Sequence, residues 1–501
     1  MQHSADLYTG YLDIVQKAAD IQYASAVLEW DQEVYMPAKG FTQRGRQLAT
    51  LAAQAHELLT GDKYGALLQE LVQRGDLTPQ QRTNVKLSYE DYEKNRKLPS
   101  SFIEDITRQS SQSFNTWITA RNENDYRSYA PELKKMIALK KQQAEYYGYE
   151  HHPYNALLND YEKGATVGLL DPVFAMVREN LPPILQKISE AKQVDNSFFH
   201  REFAKDKQWN FSIDVLKKMG YDFDAGRQDY AEHPFTTSFS SKDVRITTRV
   251  DEHNFASLLW SSIHEGGHAL YEQGLPESEY GLPLGSAASL AIHESQSRLW
   301  ENCVGRGTHF WKYFYPVLQR SFTEQLADVT ESTFYKGMNR VSSSLIRTEA
   351  DEVTYHFHVM IRYEIEKALI TGELDPNDIS GAWNDLYEQY LGVRPTDDKT
   401  GVLQDVHWCH GSFGYFPTYS LGSFYAAQFM EEAERQLPTL HTDMELGEFG
   451  KLLHWLGENI HQYGRMYTSE ELCMKVTGKG LDFTCFMRYI RNKYNNIYNI
   501  V

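Results

Sequence analysis

The segment with the clearest chemical signature contains two histidines and a glutamate, His264, Glu265 and His268, in the pattern HExxH. On a helix, residues four apart lie on one face, a turn from each other, so both imidazoles can reach one cation. Glu265 lies at the edge of that face, where it can reach a water molecule on the cation without binding the cation itself. The pattern therefore predicts a zinc site with an open coordination position.

The residues around this motif have the apolar spacing of a buried helix, which such a site requires. Two of them, Gly266 and Gly267, are mid-helix glycines, which cost on the order of 1 kcal/mol each relative to alanine. We interpret them as positions where another segment or the substrate approaches the helix closely. The alternative, a helix that merely carries two surface histidines, leaves both glycines unexplained.

A catalytic zinc site needs a third protein ligand, which usually comes from another element. Glu294 follows His268 by 26 residues and lies in another helix-like stretch, a separation that suits a second, antiparallel helix after the loop 274–285. Glu272 and Glu301 are competing ligands, but their spacing places them too far along the two helices, and we expect them on the surface. His293 points to another face than Glu294, which favours packing or support of a ligand over direct ligation.

Helices dominate the rest of the chain, because only 16 prolines and 32 glycines interrupt 501 residues. The first predicted helix runs from Tyr8 to Trp30 and ends before Pro37. Similar patterns recur near 80–96, 101–122, 128–147, 170–193, 255–273, 287–303, 311–328, 344–371 and 445–464. Residues 235–250 instead alternate polar with β-branched or aromatic residues around a turn, which predicts a hairpin, with an irregular loop as the alternative. No composition break divides the motifs, so we expect a single helical domain over 1–501.

The composition excludes some classes of protein. With 50 Lys and Arg against 68 Asp and Glu, the formal net charge is −18, and no basic patch stands out, so a nucleic-acid partner is not expected. No apolar run reaches the roughly 18 residues of a membrane span, and the N-terminus lacks a secretory signal pattern, so no membrane partner is expected either. The four cysteines are far apart and form no CxxC pair. We therefore expect a cytoplasmic protein with reduced thiols.

Six motifs in order carry a resemblance to a known family. Besides HExxH, the chain has HisProPhe at 233–235, AspValArgIleThr at 243–247, HisGluSerGln at 293–296, IleArgThrGluAlaAsp at 346–351 and GlyValLeuGlnAspValHisTrp at 401–408. With these, the chain resembles the carboxypeptidase Taq family of metallocarboxypeptidases. The early segment GluTrpAspGlnGluValTyrMetProAlaLysGly extends the resemblance to essentially the whole chain.

The resemblance implies a nearly all-helical metallopeptidase fold with a deep substrate groove, similar to neurolysin, thimet oligopeptidase and angiotensin-converting enzyme. It also implies a homodimer and a Zn²⁺ ion that Co²⁺ can replace. The expected activity is removal of C-terminal residues from peptides with a free C-terminus, with broad specificity and poor action next to proline.

Peptide hydrolysis at zinc needs a general base and donors for the tetrahedral oxyanion. Glu265 would take the proton of the attacking water. His407, His410, Tyr415 and Tyr419 form a cluster that resembles the histidine and tyrosine donors of the related oligopeptidases. From this resemblance, Tyr419 and His410 are our favoured transition-state donors, with His407 close behind. Because the chain has 33 tyrosines, core packing is the alternative role for both Tyr415 and Tyr419.

An extended peptide could pair with the strand that begins at Asp243, and Arg245 and Thr247 would share one face of it; a plain structural edge strand is the alternative. A free carboxylate suits an arginine fork, for which Arg347 is the first candidate and Arg245 the second. Arg347 could instead pair with Asp351 one turn along a helix. The remaining expected substrate-binding residues are His233, Pro234, Phe235, Gln404 and Asp405. Of these, Pro234 and Phe235 are expected to fix the conformation of the loop that carries His233.

The leading hypothesis is thus a zinc carboxypeptidase. HExxH chemistry does not itself choose between the end and the middle of a peptide, so an oligoendopeptidase or dipeptidase on the same scaffold is the runner-up. A helical scaffold without catalytic activity is the third hypothesis.

Overall fold

A computed structural model of the protein describes residues 3–500. Helices form 69% of the chain, which confirms the predicted mainly α fold. The helices are α1 Ser4–Val34, α2 Phe41–Thr60, α3 Asp62–Val72, α4 Pro79–Asn95, α5 Ser100–Glu123, α6 Tyr126–Tyr147, α7 Tyr154–Leu158, α8 Val167–Glu190, α9 Lys205–Met219, α10 Phe255–Gln273, α11 Leu290–Arg298, α12 Thr308–Ser321, α13 Glu331–Met338, α14 Tyr355–Thr371, α15 Ile379–Leu391, α16 Pro417–Gln436, α17 Leu440–Glu445, α18 Gly450–Asn459, α19 Ser469–Thr477 and α20 Phe483–Tyr498. No helix within the described residues is long and apolar enough to cross a lipid bilayer.

The chain divides into two compact units, each made of three separate stretches. The first unit contains residues up to 96, 196–338 and 426–481, and the second contains 97–195, 339–425 and the residues from 482 onward. Helices α1 to α4 and α9 to α13 belong to the first unit, and α5 to α8, α14 and α15 belong to the second. The expectation of one domain over 1–501 stays a prediction.

The first unit also holds the three-stranded sheet, with strands β1 Gly226–Tyr230, β2 Thr236–Ser240 and β3 Asp243–Thr248 in the order β1-β3-β2. Strands β2 and β3 are antiparallel and joined at Ser241 and Lys242, so the predicted hairpin is confirmed. Strand β1 pairs in parallel with β3 and was not predicted, because its polar sequence GlyArgGlnAspTyr lacks the alternation of a half-buried strand. Since β3 is paired on both sides, the expectation that a peptide could add to it, or that it is an edge strand, is wrong.

Several predicted helices agree closely with the observed ones. The segment predicted at 255–273 is α10, whose buried face includes Phe255, Leu258 and Ile263. The helix predicted over 344–371 is wrong in its first part, because α14 begins only at Tyr355. Asp351 accepts hydrogen bonds from the backbone N–H groups of residues 342, 353 and 354, which favours a turn over a helix before that point.

Candidate metal centre and active site

Helix α10 holds the two motif histidines one turn apart, with ring centroids 4.9 Å from each other. Glu294 lies on α11, the helix after the loop, as the spacing predicted. Its Oε2 is 3.9 Å from Nε2 of His264 and 3.6 Å from Nε2 of His268. Among the described residues, these three form the one group of at least three donors whose ligand atoms lie close enough to hold a metal ion.

The donor set fits a metal ion. Bonds of about 2 Å from one tetrahedral Zn²⁺ would place ligand atoms roughly 3.3 Å apart, close to the separations of 3.6 and 3.9 Å. Each histidine also engages its Nδ1 elsewhere, which leaves Nε2 for a metal. Two imidazoles and one carboxylate from two packed helices thus form a candidate metal site with three ligands.

The two motif glycines lie where neighbouring elements press against α10. A Cβ on Gly267 would be 2.7 Å from Cα of Ser297, on the backbone of α11, and one on Gly266 would be 2.5 Å from Cδ2 of Leu216 on α9. The interpretation that the glycines permit close approach is confirmed. Gly267 in particular lets α11 bring Glu294 up to the histidines.

Glu301 is buried, so the expectation of a surface residue is wrong. It follows α11 in a π-helical turn over Leu299–Gly305, and its Oε2 lies 2.9 Å from Nδ1 of His264. Burial alone would raise the pKa of Glu301, but the charges of Arg298 and Arg306 and the imidazole hold it far below its usual value. The ionised carboxylate therefore fixes the ring of His264.

Glu272 is also not a surface residue, since its side chain is only 16% exposed. Its Oε1 lies 2.8 Å from Nε2 of His293, whose Nδ1 is 2.5 Å from Nδ1 of His268. His293 therefore contacts His268, one of the candidate ligands, as a supporting role would require. Burial alone would raise the pKa of Glu272, but hydrogen bonds from His293 and Ser238 outweigh it and lower the pKa.

Glu265 is buried beside the two histidines. Thr236, the first residue of β2, donates from Oγ1 to Oε2 of Glu265 at 2.6 Å. Burial raises the pKa of Glu265, while His264 and the hydrogen bond from Thr236 oppose the rise. A carboxyl group whose pKa is raised toward neutrality is suited to accept and return a proton.

The two motifs of the hairpin region hold each other in place. Asp243 accepts two hydrogen bonds from Arg245, both at 2.8 Å, and the guanidinium lies over the ring of Trp30 at 4.4 Å. Thr247 accepts at Oγ1 from the backbone N–H of Phe235 at 2.9 Å. The loop 233–235 is thus tied to β3, with His233 exposed.

In the second unit, Arg347 is buried and pairs with Asp405, so the proposed pairing with Asp351 is wrong. Arg347 donates from Nε and Nη2 to Oδ1 of Asp405 at 3.0 and 2.9 Å, and Arg362 donates from Nε to Oδ2 at 2.7 Å. Gln404 accepts from the backbone N–H of Arg347 and from Nη2 of Arg362. The motifs at 346–351 and 401–408 therefore meet through this network.

His407, Tyr415 and Tyr419 form a cluster in the same unit. Nε2 of His407 and the hydroxyl of Tyr419 are 3.2 Å apart, and the rings of the two tyrosines are 5.2 Å apart. Burial, reinforced by Arg347, lowers the pKa of His407 to about 3, so its ring is neutral. His410 is exposed instead, with its ring stacked on Phe114 at 4.8 Å.

Comparison with known proteins decides the family. The family model described as carboxypeptidase Taq (M32) metallopeptidase matches residues 10–494. The chain belongs to this family. It is therefore a metallocarboxypeptidase.

Relatives in the carboxypeptidase Taq family match nearly the whole chain. Thermostable carboxypeptidase 1 of Thermus thermophilus is 40% identical over 509 residues, which cover 98% of this chain and 99% of that protein. Carboxypeptidase 1 of Bacillus subtilis is 37% identical over 490 residues, which cover 97% and 98%. The crystal structure of an M32 carboxypeptidase from Deinococcus radiodurans R1 is 39% identical, covers 99% of this chain and 100% of its own, and has a TM-score of 0.97.

Sequence reasoning missed the supporting residues of this metallocarboxypeptidase. Glu272 and Glu301 follow His268 and Glu294 by four and seven residues, spacings that return to the same helix face. That signal was available, but it indicates support of a ligand as well as ligation. Thr236 and Arg362 carry no such signal, because their partners come from distant parts of the sequence.

Proposed function

We propose that this metallocarboxypeptidase uses zinc and that Glu265 is its general base. The observation that carries the proposal is the convergence of Nε2 of His264, Nε2 of His268 and Oε2 of Glu294, with Glu265 on the same helix as the two histidines. Two histidines and a glutamate are a catalytic zinc set, and Co²⁺ accepts the same donors.

When bound, the metal would polarise the scissile carbonyl group and make the attacking water more acidic. Glu265 would receive the proton of that water at a carboxylate oxygen and pass it to the leaving amine. Thr236 holds Oε2 of Glu265, so the carboxylate keeps one orientation during both transfers. Glu301 and His293 keep the two ligand rings in place.

For the developing oxyanion we propose Tyr419 and His410 as donors, followed by His407. A phenol and a neutral imidazole can each donate one hydrogen bond. The contact between Nε2 of His407 and the hydroxyl of Tyr419 supports the assignment of these two residues, because it fixes the direction of both groups. The assignment of His410 rests on its motif.

We propose Arg347 as the residue that binds the substrate carboxylate. Arg347 and Arg362 both form an ion pair with Asp405. Two guanidinium groups thus share one carboxylate, and this cluster of three side chains keeps one positive charge. A buried excess charge favours an anion that can accept charge-assisted hydrogen bonds. Gln404 and Asp405 would then bind substrate by holding this arginine.

Arg245 is the weaker candidate, because Asp243 balances its charge one to one, whereas Arg347 shares the carboxylate of Asp405 with Arg362. We propose that Asp243, Arg245 and Thr247 shape the substrate site, while the exposed His233 contacts the peptide directly. Pro234 and Phe235 fix the loop that presents it.

Broad specificity is part of the proposal, and the position of β2 as an outer strand of the sheet supports it. An extended peptide that pairs with an edge strand is held through its backbone, without regard to side-chain identity. Proline lacks the backbone N–H that such pairing uses, so we expect slow cleavage next to it.

A homodimer and a cytoplasmic location remain proposals. Four free cysteines are consistent with a reducing compartment.

One pair of substrates tests the proposal. A peptide with a free C-terminus and the same peptide with an amidated C-terminus differ only in the carboxylate that Arg347 would bind. We expect the zinc-loaded enzyme to release the terminal residue from the first and to leave the second intact. Equal cleavage of both would favour the oligoendopeptidase alternative, and release of two-residue products only would favour a dipeptidase.

Replacing Glu265 with Gln tests the base. The variant keeps the shape of the side chain and cannot take a proton, so we expect one metal ion per chain, as in the wild type, and a loss of turnover of at least 100-fold. Turnover at the wild-type rate would show that another group is the base. Absence of metal from the wild type, with no activity after Zn²⁺ or Co²⁺ is added, would favour the scaffold hypothesis.

A further inference from the structure

The two histidine ligands are supported in different ways. His264 contacts a carboxylate directly, through its Nδ1 and Glu301. His268 instead contacts another imidazole, His293, with the two Nδ1 atoms 2.5 Å apart and the ring centroids 4.4 Å apart. Nε2 of His293 contacts Oε1 of Glu272. A carboxylate therefore supports His268 as well, but indirectly, through His293.

The contact between two Nδ1 atoms constrains where the protons lie. His268 can bind a metal through Nε2 only if its proton is on Nδ1, and this proton then points at Nδ1 of His293. Nδ1 of His293 must accept it, so the proton of His293 has to be on Nε2. That proton faces Oε1 of Glu272, which is an acceptor, at 2.8 Å.

The end of this chain is fixed by the hairpin. Ser238 of β2 donates to Oε2 of Glu272 at 2.8 Å, so both carboxylate oxygens have partners and the side chain has one orientation. All three side chains beyond the ligand therefore favour a single arrangement of protons, the one that leaves the lone pair of Nε2 on His268 available.

We propose that His293 and Glu272 are positioning residues that select the metal-binding tautomer of His268 and thereby set the metal affinity of the enzyme. Partners of metal-bound histidines typically change metal affinity by 10- to 100-fold when they are removed. The inference rests on the proposed metal site, and it goes beyond that site by assigning the affinity to two residues that bind no metal.

Two substitutions of His293 separate the hydrogen bond from the volume of the ring. His293→Phe keeps a ring and removes the acceptor for His268. His293→Asn places an amide oxygen near the former Nδ1, where it can still accept that hydrogen bond. We expect the Zn²⁺ dissociation constant, measured by chelator competition, to rise about 10- to 100-fold in the first variant and to stay within about threefold of the wild type in the second.

Two further readouts distinguish positioning from general destabilisation. The melting temperature of the metal-free protein should be similar in both variants, and the visible spectrum of the Co²⁺-loaded Phe variant should change, because one imidazole is held less firmly. If His293→Phe does not fold, Glu272→Ala and Glu272→Gln serve as the same comparison, since only the amide can still accept from Nε2 of His293.

The proposal is overturned if His293→Phe binds Zn²⁺ as tightly as the wild type, or if the Asn variant loses as much affinity as the Phe variant. Either result would leave the proposed zinc carboxypeptidase intact. A wild type that binds no metal would instead overturn the proposed function and this inference together, so the two failures are distinguishable.

Discussion

Replacement of Gly267 with alanine should separate the two helices that carry the metal ligands. The added Cβ would lie 2.7 Å from Cα and 3.2 Å from the backbone nitrogen of Ser297, and 2.9 Å from the carbonyl oxygen of Gln296. All three atoms belong to the backbone of α11, so no side-chain rotation relieves the overlap. Helix α11 has to move away from α10, and Glu294 moves with it.

The size of the movement follows from these distances. Ordinary contact begins at about 3.4 Å, so the approach of 2.7 Å must lengthen by about 0.7 Å. Metal bonds tolerate deviations of about 0.2 Å, which is much smaller. Overpacking of this kind costs about 1–3 kcal/mol, and the better helix propensity of alanine returns about 1 kcal/mol of it. We therefore expect a modest loss of folding stability, and a metal dissociation constant at least tenfold higher.

Gly266→Ala is the matched control, because it adds the same methyl group to the same helix, one residue away. Its Cβ would meet Cδ2 of Leu216, the end of a flexible side chain that can turn aside. Chelator competition with Zn²⁺ and thermal unfolding of the metal-free proteins measure both effects. Wild-type affinity in Gly267→Ala, or an equal loss in both variants, would refute the assignment of Gly267 to ligand placement.

Two more predictions concern buried carboxyl groups of the second unit. Glu366 accepts from Nε1 of Trp408 and from the backbone N–H of Gly414, and burial raises its pKa to about 7. The contribution of Glu366 to folding stability is complete below its unfolded pKa of about 4.5 and is lost as the pH rises through 7. The unfolding free energy of the wild type, measured relative to Glu366→Gln by urea titration, should therefore fall by roughly 3 kcal/mol between pH 4.5 and 8. A difference that stays constant with pH would contradict this. Asp405→Asn leaves two buried guanidinium groups without their carboxylate and should destabilise the protein by about 3–5 kcal/mol, seen as a lower melting temperature, whereas an unchanged melting temperature would argue against the network.

The parts of the fold that follow from local pattern could be predicted from the sequence. Helix α10 and the hairpin were found because the burial of one face imposes a period of 3.6 or 2 residues on the side chains. Strand β1 could not be found in this way, because its polar sequence has no such period and it is defined by pairing with β3. The missing helix before Tyr355 has a related cause, since the side chain of Asp351 competes for the backbone N–H groups.

The same division applies to the site. The convergence of His264, His268 and Glu294 could be predicted from spacing, because candidate ligands must point at one place and helical geometry limits which residues do so. The partner of Arg347 could not, because Asp405 is 58 residues away and only the folded chain brings them together. A charged side chain that is about to be buried will pair with whatever charge the fold supplies, and the sequence alone does not rank the candidates.

The positions of Glu272 and Glu301 differ most from what spacing predicts. From spacing alone, Glu272 and Glu301 failed as ligands and were therefore expected on the surface, as most glutamates are. A metal site changes that expectation, because each ligand histidine needs an acceptor for its second nitrogen, and a carboxylate one or two turns away on the same helices is the nearest source. An acid near HExxH that cannot reach the metal is thus better interpreted as direct or indirect support of a ligand: Glu301 contacts His264, and Glu272 contacts His293, which in turn contacts His268.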